Sequence, residues 1–410
     1  MRAASSSGSG NALPNPQSSS AVASFGLEMA ENLTHLGLAV TIVEMLPQVM
    51  PPMDAEMVAP VHEHLLAKGV KLALGTAVAG FAEKESRIAV QTKDGTEHLA
   101  EVVILAIGVR PETTLARACG LTLGERGGIR VDEQMRTNDP HIWAVGDAVE
   151  VRDRITGTWT LLALAGPANR QGRIAADAIC GRATAFHGTQ GTAICGIFDL
   201  AVASTGASEK ALQRTGITDY EKLYLHAGHH VGYFPGAEKM HLKLIFRPSD
   251  GSILGAQAVG KAGVDKRIDV IAMAIQKGGT VYDLEEAELC YAPQFGSAKD
   301  PVNFAGMIAA NHLHGDDPLI HWNGPQLANS DLLDVRDPEE FAAGHAPGAR
   351  NIPLNVLRSA LGNLPKDRPL AVYCAVGGRA HNAVRILRQN GFDAANISGG
   401  FTTFGHVGKA

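Results

Sequence analysis

A chain of 410 residues is too long for one ordinary core and points to roughly two to four domains. Apolar residues make up 45% and charged residues 19%, a soluble, globular balance, and the net charge of −6 lacks the basic footprint of a nucleic-acid binder. No Lys/Arg run addresses an anionic membrane surface, and no apolar stretch approaches the roughly 18 residues of a spanning helix.

Residues 1–20 are rich in Ser, Gly, Asn and Pro and are expected to be a flexible tail. From Ala21 the pattern changes: FGLEMAENLTHLG has the apolar spacing of an amphipathic helix ended by Gly37. LAVTIVE follows as a buried parallel strand, then a helix over 55–68, a strand VKLAL, a charged hairpin in RIAVQTKDGTEHLA, and a strand VVILAIG over 102–108. This alternation describes an α/β nucleotide-binding layer. Beyond Gly108, TNDPHIWAVGDAVE reads as a turn, a short strand and an acidic loop, with a helix expected over 169–180. In MHLKLIFRPSDGSILGAQAVG two strands flank an SDG turn, a hairpin, and a helix is expected over 265–277. HGDDPLIHWNG reads as a linker. From about Leu327 the strands DLLDVR and LAVYC alternate with helices, the last over 381–390, which makes a separate small α/β unit.

The five cysteines, Cys119, Cys180, Cys195, Cys290 and Cys374, are scattered singly without a CxxC pair. That argues against a disulfide framework or structural zinc, leaves no metal site to expect, and fits a reducing cytoplasm. Four of them read as core filling. Cys374 differs, because LAVYC ends on it, AVGGRA cannot continue the strand, and a helix follows. Unpaired backbone N–H groups at such a junction favour a thiolate, Gly377 and Gly378 let the backbone curl around the sulfur, and Arg379 adds a cation. An ordinary small core residue is the competing reading.

The stretch LLDVRDPEEFAAGHAPGARNIPL, followed by LAVYCAVGGRA and NISGGF, resembles the rhodanese sulfurtransferases over the last 85 or so residues. The resemblance implies that Cys374 carries sulfane sulfur, that Arg379 orients the donor, that Gly377 and Gly378 cradle the substrate, and that Asp334 and Arg336 are structural. Ala380 and His381 depart from it, standing where this subgroup has Gly and Tyr.

Residues 21–320 resemble the coenzyme A-disulfide reductase branch of the FAD- and NAD(P)H-dependent disulfide oxidoreductases, through GLEMAENL, VTIVE, ILAIGVRPET, AVGDAVE, LAGPANRQGRIAADAICG, FDLAVASTGASEKAL and YAPQFGSAKDPVNFAG. The implied fold is α/β: a Rossmann-like NAD(P) domain (21–113), part of an FAD domain (114–190), an α+β dimerisation domain (191–315), a linker (316–326) and a rhodanese domain (327–410). Cofactor contacts would fall on Gly26, Glu28, Glu44, Gly108, Asp147 and Ala165, and thiol-substrate contacts on Tyr233 and Tyr291. Glu44, eighteen residues after Gly26, suits an adenosine ribose and favours NADH; a solvated strand end competes. Asp147 matches the ligand of the flavin ribityl chain, against a plain turn, and the tyrosines compete with simple interface packing.

Two departures shape the expected function. In the position of the dinucleotide fingerprint G-x-G-x-x-G stand Ala21, Ala23 and Gly26, and an added Cβ crowds a pyrophosphate. The N-terminal FAD half, with its own fingerprint and redox cysteine, has no counterpart in residues 1–20. The expectation is therefore a homodimeric disulfide, persulfide or polysulfide reductase fused to a sulfurtransferase, with an FAD half-site only and impaired reduction. Sulfur transfer alone through Cys374, or a non-catalytic dimeric scaffold, are the alternatives.

Overall fold

A computed structural model describes residues 20–408, with backbone only for 20–23. The expected tail, and the side chains of Ala21 and Ala23, lie outside the described residues. The first helix, α1 (Ser20–His35), presents Leu27 and Ala30 to the interior and stops where Gly37 takes φ +81°. Strand β1 (Thr41–Glu44), helix α2 (Ala55–Ala67) and strand β2 (Lys71–Leu74) follow, β1 and β2 pairing in parallel as a two-stranded sheet. Helix α2 buries Met57, Val58, Val61 and Leu65, the i, i+4, i+8 face that drives an amphipathic helix onto its neighbours. Strands β3 (Val78–Lys84), β4 (Arg87–Thr92) and β5 (Glu97–Ala100) form the expected antiparallel region.

The strand expected over 102–108 does not form. The segment runs without sheet partners among the described residues, and Val102, Ile104, Leu105 and Ile107 are exposed. An apolar run becomes a strand only when another strand completes its hydrogen bonds, and periodicity cannot supply that partner.

Helix α3 (Thr114–Ala118) leads to a small sheet of β6 (Ile129–Arg130), β7 (Val149–Arg152) and β8 (Trp159–Leu161), against which α4 (Ala165–Ile179) lies. The latter begins four residues before its expected start. Cys119 and Cys180 cap the C-termini of α3 and α4 and are exposed, as is Cys290, so three of the four cysteines expected in cores are at the surface. A helix C-cap has left the apolar stripe, which residue type alone does not reveal.

The next unit is an antiparallel sheet ordered β11-β12-β13-β10-β9, made of β9 (Ala193–Ile197), β10 (Leu200–Gly206), β11 (Glu221–Gly228), β12 (Lys239–Phe246) and β13 (Ile253–Gly260). Helix α5 (Glu209–Arg214) falls between β10 and β11, and α6 (Val264–Gln276), α7 (Val281–Glu285) and α8 (Pro301–Leu313) cover one face. On the other face α1 and α2 pack their apolar sides onto β9, β10 and β13. That seam is pinned by Lys243, fully buried, whose ammonium meets Asp54 at 2.8 Å, Glu56 at 2.5 Å, and Glu209. Burial alone would raise Glu56, but Lys243 beside it holds the carboxyl down at about 2. These three carboxylates converge as metal ligands do, and the lysine ammonium lies among them.

The C-terminal unit is a parallel sheet ordered β14-β18-β17-β15-β16. Its elements in chain order are β14 (Leu319–Ile320), β15 (Asp331–Asp334), α9 (Pro338–Ala343), β16 (Arg350–Asn351), α10 (Leu357–Ala360), β17 (Leu370–Tyr373), α11 (Gly378–Gln389), β18 (Ala394–Ile397) and α12 (Gly400–Val407). Residues 319–320, inside the expected linker, thus add an edge strand on β18. The unit docks on β11, the free edge of the central sheet: Tyr224 N–H donates to Ser398 Oγ at 2.9 Å, and His226 Nε2 lies 2.8 Å from Thr403 Oγ1. Covering an edge strand in this way removes a template for aggregation. No helix among the described residues is long and apolar enough to cross a membrane.

Candidate functional site

Cys374 follows β17 directly and is 1% exposed. Helix α11 begins at Gly378, three residues earlier than the spacing predicts, so its N-terminal turn closes over the sulfur. Gly377 N–H donates to Cys374 Sγ at 3.2 Å. Gly377 has φ +107°, a conformation that a Cβ would strain, while Gly378 is an ordinary first helical residue. Of the two glycines expected to curl the loop, one does.

The base of the loop is fixed from α12. Phe401 N–H donates to Cys374 O at 2.8 Å, and Thr402 gives both its N–H and its hydroxyl to Ala375 O at 3.0 Å. Gly400, at φ +58°, passes so close that an added Cβ would stand 2.3 Å from Cys374 O. The GGF segment is therefore the wall that lets α12 approach the loop.

Arg379 does not stand as a lone cation. Its guanidinium meets both carboxylate oxygens of Glu340, at 2.6 and 2.7 Å, and Asp337 at 3.2 Å. The hydrogen bond from Arg379 holds the Glu340 carboxyl at about 2. Glu340 belongs to the capping box of α9, whose N-cap is Asp337, so the helix that follows DVR presents its acidic first turn to the Cys374 loop. Asp334 and Arg336 form a buried bidentate pair, with Arg336 also donating to Gly344 O at 2.7 Å, a structural role. Glu340 is a site residue that sequence reading missed; its only signal was its place inside the DVR-x-x-x-E-F segment.

The other expected residues lie apart from this loop. On the exposed face of the central unit Tyr233 and Tyr291 come together, hydroxyl to hydroxyl at 3.3 Å, and the hydrogen bond shared with Tyr233 lifts the Tyr291 phenol above its ordinary value. Buried Arg267 secures the segments that carry them, donating to His229 O at 2.7 Å and to both oxygens of Asp300. Gly26 faces Ala106, where a Cβ would meet the alanine at 3.1 Å, so α1 and the segment leading to Gly108 pack closely. Glu28 is exposed. Glu44 accepts the N–H of Leu46 at 2.9 Å and so caps its own turn. Asp147 is exposed in the turn 146–148, which is held to α4 by Gly146 N–H donating to Gln171 at 2.7 Å; Ala165, also exposed, opens that helix.

Comparison with known proteins gives three consecutive family matches. The pyridine nucleotide-disulphide oxidoreductase family matches residues 24–172, its dimerisation domain residues 192–300, and the rhodanese-like domain residues 320–406. The coenzyme A disulfide reductase of Staphylococcus haemolyticus is 32% identical over 284 residues, which are 69% of this chain and 63% of that protein. The chain thus spans somewhat less than two thirds of that relative. The structure of reduced Bacillus anthracis CoADR-RHD superposes with a TM-score of 0.91 at 45% identity, covering 93% of this chain and 69% of that one. An NAD-dependent persulfide reductase from A. fulgidus superposes with a TM-score of 0.85 at 36% identity, covering 93% and 70%.

Proposed function

This chain belongs to the pyridine nucleotide-disulphide oxidoreductases and ends in a rhodanese-like domain, and on that footing we propose that it moves sulfane sulfur through Cys374 as part of an NAD(P)H- and FAD-dependent disulfide or persulfide reductase. The observation that carries the reading is the Gly377 N–H on Cys374 Sγ at the N-terminus of α11. Backbone N–H groups and a helix N-terminus stabilise negative charge on sulfur, both in the attacking thiolate and in the persulfide it becomes.

In the transfer step the Cys374 thiolate attacks the outer sulfur of thiosulfate or of a low-molecular-weight persulfide. The donor's S–S bond breaks, sulfite or thiolate leaves with the electron pair, and Cys374 holds the sulfur as a persulfide. An acceptor thiolate, or cyanide in an assay, then takes that sulfur and restores the thiolate. The donor meets Arg379 already paired with Glu340, so Arg379 orients through the donors its fork keeps free and is itself held rigid.

FAD would find the exposed Asp147 carboxylate and the N-terminus of α4 at Ala165, a carboxylate for hydroxyls and N–H groups for a phosphate. When bound, the flavin supplies the relay of electrons from nicotinamide to disulfide. The nicotinamide lobe fits less well among the described residues: Glu44 caps its own turn, and the 102–108 segment has no sheet to join. That favours sulfur transfer as the activity to test first. Coenzyme A disulfide, persulfide or polysulfide is the proposed substrate class, Tyr233 and Tyr291 its contacts, and a homodimer the proposed assembly.

The test is thiosulfate-to-cyanide sulfur transfer by the full chain. Wild type should turn over and Cys374→Ser should not; equal rates would overturn the assignment. A visible spectrum of the purified protein, with NADH-dependent turnover of coenzyme A disulfide, tests the reductase half separately.

A further inference from the structure

The stretch joining the central and C-terminal units carries two adjacent aspartates that point different ways. Asp316 reaches outward to Arg385 at 2.7 Å, while Asp317 turns inward and is 3% exposed. One oxygen of Asp317, Oδ2, accepts from His381 Nδ1 at 2.8 Å and from Asn396 Nδ2 at 3.1 Å. Asn396, itself buried, also donates from Nδ2 to Gly377 O at 3.3 Å, and His381 N–H donates to the same carbonyl at 2.8 Å. Gly377 is the residue whose own N–H rests on Cys374 Sγ. Both peptide groups flanking a residue at φ +107° are therefore held, one by the sulfur and one by the helix's own His381 N–H together with the Asn396 amide that Asp317 holds.

Backbone contacts fix the carboxylate in turn. Asp317 N–H donates to Asn311 O at 3.1 Å at the end of α8, and Asn396 N–H donates to Pro318 O at 2.8 Å. The second oxygen, Asp317 Oδ1, is buried and finds no hydrogen-bond partner among the described residues. Enclosing a carboxylate with one oxygen unmatched costs stability, so its placement is unexplained by packing alone. His381 is also one of the two residues, with Ala380, at which the chain departs from the rhodanese pattern, and here it has a partner supplied from outside the domain's own loop.

We propose that Asp317 is a positioning residue for Cys374, acting through Asn396 and His381 to keep the Gly377 N–H on the sulfur throughout transfer. The inference rests on the sulfur-transfer reading of Cys374. The carboxylate sets geometry and no proton moves between His381 and Asp317, with His381 donating from an Nδ1–H.

The experiment uses the full chain and two readouts, thiosulfate-to-cyanide kinetics and peptide-resolved iodoacetamide labelling of Cys374 at neutral pH. Asp317→Ala is expected to lower kcat and the Cys374 labelling rate by about tenfold, the scale of one or two lost charge-assisted hydrogen bonds, with KM for thiosulfate changed less than about threefold. Asn396→Ala should do the same, and the double variant should be little worse than either single one, because the two act in one chain. Asp317→Asn should recover most of the rate, since its amide oxygen can replace Oδ2 as the shared acceptor. A merely structural tether would lower the melting temperature and leave Cys374 labelling in the folded protein at the wild-type rate, which overturns the proposal. Should Asp317→Ala fail to fold, Asn396→Ala decides: wild-type labelling and kcat there overturn it. If Cys374→Ser retains full transfer, it is the underlying reading that fails, whereas an inactive Cys374→Ser beside a fully active Asp317→Ala rejects this inference alone.

Discussion

Cys195 and Cys374 are both hidden from solvent, at 4% and 1% exposure, and each stands at a sheet packed under helices. Cys195 lies within β9, donates from its sulfur to Gly196 O at 3.3 Å, and faces Glu28 and Glu31 on α1. Burial and those two carboxylates push its thiol up to about 12. Cys374 lies one residue past its strand, where an N–H points at the sulfur instead of a carbonyl receiving from it. Depth does not distinguish these two cysteines; the sign of the neighbouring dipoles and charges does.

The largest effect expected from this contrast is on turnover. Cys374→Ser should reduce sulfur transfer by more than about a thousandfold, the scale of removing a covalent nucleophile, while Cys195→Ser stays within about twofold. Steady-state rates of the two variants decide it, and a large loss in Cys195→Ser would break the comparison. Labelling sharpens it: at neutral pH iodoacetamide should modify Cys374 at least about a hundredfold faster than Cys195, read by peptide mass spectrometry. The geometry that makes the difference can be disturbed without touching sulfur. Gly400→Ala places a methyl against Cys374 O, and should cost about 1–3 kcal/mol in urea denaturation together with a loss of transfer activity.

The smallest effect is a pH dependence that belongs to the sheet of Cys195. His241 is pushed down to about 4, by burial first and then by His406 and Lys239, with Glu63 opposing; His226 beside it, at 2.7 Å between Nδ1 atoms, is lowered by burial, His241, His406 and Lys239. In the unfolded chain both rings protonate below about pH 6.5. Folded, His241 stays neutral down to about 4, so acid favours the unfolded state. Stability is expected to be full above pH 6.5 and to fall between there and pH 4, by on the order of 2 kcal/mol. Urea titrations at several pH values check this, and His241→Asn should flatten the slope.

Much of the architecture was legible in the residues. The helix stopped by Gly37, the β12–β13 hairpin at SDG and the strand-Cys-loop-helix of the C-terminal unit follow from periodicity and turn chemistry, because each is a local pattern. The 102–108 strand was misjudged because its existence depends on a neighbouring strand. Cys119 and Cys180 were placed in cores because residue type is a weaker guide to burial than position on a helix. Around the Cys374 loop, the contacts of Glu340 and Asp317 escaped notice, since neither is near Cys374 in sequence: Arg379 and Glu340 are 39 residues apart, and His381 and Asp317 are 64 apart.

The sequence by itself determined that Cys374 stands between a buried strand and a helix, and such a junction exposes backbone N–H groups to a side chain placed there. The tertiary structure decided what holds that junction in place. The parallel order β14-β18-β17-β15 brings Asn396 and Asp317 to one flank of the loop and α9 with Glu340 to the other. Parallel strands are joined through long crossovers, so residues distant along the chain meet at their ends, and no spacing rule records which will do so.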